Sequence, residues 1–98
     1  MAKGKYCPKT GAYLKACREA KGMTQRVLAE MLREKHHTII SQFEGGNLKV
    51  PPRLYEEYAK ALDVELFKFT RHMLIEYYPE LFDILIMKLY VQPKGTGD

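Results

Sequence analysis

Two short amphipathic segments at a fixed spacing constrain this chain more than any other feature. Thr24, Gln25, Leu28 and Ala29 are followed by Ile40, Ser41, Glu44 and Gly46, with a tight connection between the two groups. Thr24 is placed to cap a helix over about residues 25–32, in which Val27, Leu28 and Met31 are apolar. Residues 33–36 then lead into a helix over about 37–44, with Ile39, Ile40 and Phe43 apolar and Gly45 and Gly46 ending it. Helices this short are stable only when packed on something. The pair therefore folds as one unit, with a polar outer side on its second helix.

The flanks supply the rest of an all-helical domain. Residues 1–9 form a basic arm with Lys3, Lys5 and Lys9; Cys7 falls within it and Pro8 ends any regular structure there. Thr10 is expected to cap a first helix to about residue 21, with Leu14 and Cys17 inward and Tyr13 and Ala20 beside them. Gly22 supplies the left-handed residue that closes it. Pro51 and Pro52 open a fourth helix that buries Leu54, Tyr58, Ala61 and Leu62. Leu66, Phe69, Met73, Leu74 and Tyr77 recur at helical spacing over 64–78.

Pro79 opens a sixth helix, to about residue 90, in which only Glu80, Asp83 and Lys88 are charged. A helix apolar nearly all round must be covered on more than one side. A chain of 98 residues has little material left to do so, and a second copy is the simplest cover. The expected dimer interface is Leu74, Tyr77, Tyr78, Leu81, Phe82, Leu85, Ile86 and Leu89.

Charge is divided unevenly. Residues 1–53 carry eleven Lys or Arg against four Glu, whereas residues 54–98 carry five basic against eight acidic residues. A basic front half suits a polyanionic partner. Other classes fit less well. Two cysteines make no disulfide framework, and the first thirty residues hold no secretory apolar core, so a cytoplasmic protein is expected. The apolar run 81–91 is too short to span a bilayer, so no membrane partner is expected. His36, His37, His72, Cys7 and Cys17 fit no standard metal spacing, no Gly-rich phosphate loop is present, and no nucleophile stands beside a base; neither metal, cofactor nor enzyme activity is expected.

A helix pair that docks on double-stranded DNA needs a small residue where its helices cross, and Ala29 fits. It needs an apolar residue locking the second helix to the core, and Ile40 fits. It also needs a polar group at the start of the first helix, aimed at a phosphate, and Gln25 fits.

These residues carry a family resemblance. Thr24-Gln25-x-x-Leu28-Ala29, Ile40-Ser41-x-x-Glu44-x-Gly46, Pro51 and Ala59-x-x-Leu62-x-Val64 resemble the pattern of Xre/Cro, or lambda-repressor-like, DNA-binding domains over about residues 10–66. Leu14-x-x-x-Arg18, Gly22 and Thr24 match the family's first helix. The turn is one residue longer than the commonest form and places Arg33 where many members have Gly. His36 and His37 stand where a Ser cap and its follower usually sit.

The resemblance implies an all-α fold: a five-helix lambda-repressor-like helix-turn-helix domain with a C-terminal helical extension. The implied organisation is arm 1–9, DNA-binding domain 10–66, extension 67–91 and tail 92–98. It implies base contacts from His37, Thr38, Ser41 and Gln42. Phosphate contacts would come from Gln25, Arg26, Lys35, Asn47 and Lys49, and Arg18 and Glu44 would form a structural ion pair. A dimeric repressor on an inverted repeat is the expected function; the alternative is an antitoxin-type module whose C-terminal helices bind a partner protein.

Overall fold

The computed structural model describes residues 7–90, and among them every regular element is helical. The Lys3 and Lys5 part of the basic arm and the tail 92–98 lie outside the described residues. The helices are α1 (Pro8–Ala20), α2 (Gln25–Met31), α3 (Thr38–Glu44), α4 (Tyr55–Leu62), entered through a 3-10 turn (Pro52–Leu54), α5 (Leu66–Tyr77) and α6 (Pro79–Phe82). α6 continues as a π-helical stretch, Asp83–Tyr90, rather than as the single α-helix that its sequence suggested. Within that stretch Lys88 pairs with Asp83 at 3.5 Å, five residues apart, a spacing that suits the wider π turn.

The first four helices end in the same way. Gly22, Arg33, Gly46 and Asp63 each take a left-handed conformation, with φ of 69°, 60°, 77° and 59°. After each, an N–H reaches back five residues to a helix carbonyl: Met23 to Arg18, Glu34 to Ala29, Asn47 to Gln42 and Val64 to Ala59. These are complete Schellman closures, and they satisfy carbonyls that the helix itself cannot. At the start of α2, Thr24 Oγ1 accepts the Val27 N–H at 3.1 Å.

All five longer helices contribute to one core. Leu14, Leu28, Ile40, Tyr58, Phe69 and Met73 are completely buried. The rings of Tyr58 and Phe69 lie 5.4 Å apart, and Phe43 meets Tyr58 at 6.1 Å. α5 is thus bound into the core through Phe69, Met73 and Tyr77. α1 crosses α3 so closely that a Cβ at Gly11 would fall on the backbone carbonyl of Glu44.

Several expectations are corrected by packing. Cys7 is not part of a loose arm: it is buried, its N–H bonds Gly46 O at 3.1 Å, and burial pushes its thiol pKa up. Pro8 begins α1 instead of ending order, because a first-turn residue needs no N–H. Thr10 is not the cap; it sits inside the first turn. The cap comes from α5, where the Glu76 carboxylate accepts the Lys9 N–H at 3.1 Å and the Thr10 N–H at 2.6 Å. Ala20 is exposed, and Arg18 is buried on the same helix. Val27 and Met31 face outward, because α2 turns Leu28, Ala29 and the following Leu32 to the core.

Candidate nucleic-acid interface

The second helix of the central pair is held from behind at three points. Ile40 and Phe43 anchor α3 in the core. Glu44, at its last turn, receives Arg18 Nε at 2.6 Å and Nη2 at 3.1 Å from α1, and Gln25 Nε2 at 3.1 Å from α2. The third edge of the guanidinium, Nη1, donates to Met23 O at 2.6 Å. One guanidinium thus ties α1, the entrance of α2 and the end of α3 together. The two side chains are only 10% and 3% exposed, so the pair is largely desolvated, and each guanidinium nitrogen and carboxylate oxygen has a hydrogen-bond partner. The bonds to Glu44 hold the Arg18 pKa above its ordinary value, against the opposing effect of burial.

The front of α3 is open. His37, Thr38, Ser41 and Gln42 are all exposed. Thr38 and Gln42 share a shallow groove with Glu34, Lys35, His36 and Ile39 at the start of the helix. Ser41 faces a second groove, about 260 Å³, with Lys15, Gln25, Glu44 and Gly45. Lys15 was not singled out from sequence, although it stands one turn before Arg18 on α1. The Glu44 carboxylate in that groove is offset by Arg18, so Lys15, the Ser41 hydroxyl and the Gln25 amide can serve an anion there.

The other expected phosphate contacts divide. Arg26 and Lys35 are exposed and Asn47 is half-buried. Gln25 has one amide N–H on Glu44, which leaves its second donor free for a ligand. Lys49 is exposed and already has partners within the protomer. Its Nζ donates to Tyr77 O at 3.3 Å and lies 4.6 Å from the ring centroid of Tyr78. The negative end of α5 and an aromatic face both attract a cation, which explains the position.

The expected interface residues also divide. Tyr77 is 5% exposed, and its hydroxyl accepts the Val50 N–H at 2.9 Å. Its ring is spent inside the protomer, because α5 turns Phe69, Met73 and Tyr77 inward on one stripe. Tyr78, Leu81, Leu85 and Leu89 remain exposed, and Leu74, Phe82 and Ile86 are half-buried. No described helix is long and apolar enough to cross a membrane.

The sequence matches the family model described as Helix-turn-helix over residues 14–69, which takes in every residue of the central pair and its Arg18–Glu44 tie. No curated protein matches the chain.

Proposed function

The chain belongs to the Xre/lambda-repressor-like helix-turn-helix family and is a DNA-binding protein; on that premise we propose that it is a dimeric transcriptional repressor of an inverted repeat. The carrying observation is α3 itself. Its inner side is pinned by Ile40, Phe43 and Glu44, while His37, Thr38, Ser41 and Gln42 stand exposed in a polar row. A helix supported in this way fits the major groove, where Gln can bond adenine twice and a Thr methyl can pack on thymine. Thr38 and Gln42 are the proposed base readers, with His37 and Ser41 beside them. Gln25, Arg26, Lys35, Asn47 and Lys49 are the proposed phosphate contacts, joined by Lys15; these set register without reading sequence.

Two copies would place their recognition helices about one DNA turn, roughly 34 Å, apart. The exposed apolar residues of α6 and its continuation favour a second copy as partner.

The test is binding to DNA from the gene's own upstream region, against a scrambled duplex, over a salt series. A preference that survives salt is expected. Gln42→Ala should lose about 1–3 kcal/mol on the preferred site and far less on scrambled DNA. Equal, salt-sensitive binding to both duplexes would remove the specific-repressor reading and redirect attention to a protein partner for the C-terminal helices.

A further inference from the structure

A cleft of about 440 Å³ lies between α1 and α5, lined chiefly by Thr10, Ala12, Tyr13, His72, Ile75 and Glu76. Most of its lining surface is apolar. Both Glu76 oxygens hold N–H groups of α1, and the His72 ring is stacked on Tyr13 at 3.7 Å. An occupant would meet chiefly the apolar Ala12, Tyr13 and Ile75, the last 45% exposed, with Lys9 also lining the cleft.

The chain also carries an uncovered apolar rod. None of residues 79–89 is buried. Leu81, Leu85 and Leu89 recur at every fourth position and are 44%, 41% and 62% exposed, while Ile84 and Met87 are exposed beside that row. Ile75 of the cleft and Tyr78, where α5 meets α6, are exposed as well.

Area decides how a second copy could cover the rod. A twelve-residue helix is at most about 18 Å long and about 10 Å across, so contact along one face buries on the order of a few hundred Å². A stable interface takes about 800 Å² from each partner. Side-by-side pairing of the two rods makes one such contact and falls short, whereas a reciprocal exchange makes two and adds the cleft walls to the interface.

We propose that α6 and its π-helical continuation lie along the α1/α5 cleft of a second copy, reciprocally across a two-fold axis, with the side chains of Leu81, Leu85 and Leu89 as the row that enters it. This rests on the homodimer reading above and assigns the surface that receives the helix. Because the cleft wall is α1, which holds α3 through Arg18, the exchanged helix braces the reading element of its partner.

The experiment is sedimentation equilibrium of the full chain and two variants. Ala12→Arg fills the cleft from an exposed helical position, and Leu85→Glu/Leu89→Glu spoils the rod. The parent chain is expected to be a dimer, and each variant to weaken dimerisation at least tenfold (about 1.4 kcal/mol) with helical circular dichroism unchanged. Should Ala12→Arg lose helix, Ile75→Glu on the opposite wall replaces it. A cleft variant that dimerises normally while the rod variant dissociates overturns the exchange but keeps the dimer. Normal dimerisation by both variants overturns it too, and a monomeric parent chain overturns both readings.

Discussion

At the scale of single residues, Arg18 carries more of the architecture than any other polar side chain described. Its three nitrogens serve Glu44 twice and Met23 O once. Removing it strands a carboxylate whose side chain is 3% exposed, with only Gln25 as remaining donor. Arg18→Ala should cost about 3–5 kcal/mol, a large share of what so small a domain possesses. Replacing both partners by apolar residues, as in Arg18→Met/Glu44→Leu, should cost less than the sum of the single changes. Urea unfolding of the four proteins measures this directly, and strict additivity would mean that the two groups do not act as a unit. Both residues were legible in sequence through the family pattern. Met23 as third partner was not, because a backbone carbonyl has no sequence signature.

At the scale of elements, helix ends explain what sequence revealed and what it concealed. Gly22 and Gly46 mark their closures openly, since glycine takes the left-handed conformation without cost. Arg33 and Asp63 make the same closure without any such mark. Arg33 bears a left-handed penalty of about 1–2 kcal/mol, part of which is offset because glycine loses more freedom on folding. Arg33→Gly should therefore stabilise by up to about 1 kcal/mol, seen as a thermal midpoint raised by several degrees. An unchanged or lower midpoint would show that the Arg33 side chain compensates.

The start of α1 was misjudged from sequence because its cap lies 66 positions away in Glu76. No local pattern can announce a tertiary cap. Phase was the other blind spot: in seven residues of α2, apolar spacing does not tell which of Val27, Leu28 and Met31 faces inward. Glu76 also makes a prediction that depends on pH. Burial raises its pKa, but the hydrogen bonds from Thr10 and Lys9 outweigh this, and the net shift is downward. A carboxylate depressed in the folded state stabilises above its unfolded pKa and loses that contribution as pH falls through the folded value. Glu76→Ala should thus be less stable by about 1 kcal/mol near neutrality. The difference should close progressively below pH 4.5, its ordinary value. A gap that persists at lower pH would mean that packing, not the charged cap, is lost.

At the scale of the whole molecule, a well-filled domain is joined to a segment that buries no residue fully. The core runs through α1 to α5, whereas residues 79–89 contain no buried position. If that segment is completed by a second copy, folding and association are linked by mass action. The thermal midpoint should rise with protein concentration in the parent chain and lose that dependence in Leu85→Glu/Leu89→Glu. A midpoint independent of concentration would mean that the protomer is stable alone.

The division of labour on α3 has an evolutionary corollary. The residues that hold this helix and the residues that face outward are disjoint sets: Ile40, Phe43 and Glu44 on one side, His37, Thr38, Ser41 and Gln42 on the other. Substitution on the outer set leaves the scaffold's free energy almost untouched. A duplicated gene could thus drift to a new operator, or be retargeted by grafting four side chains, without passing through an unfolded ancestor.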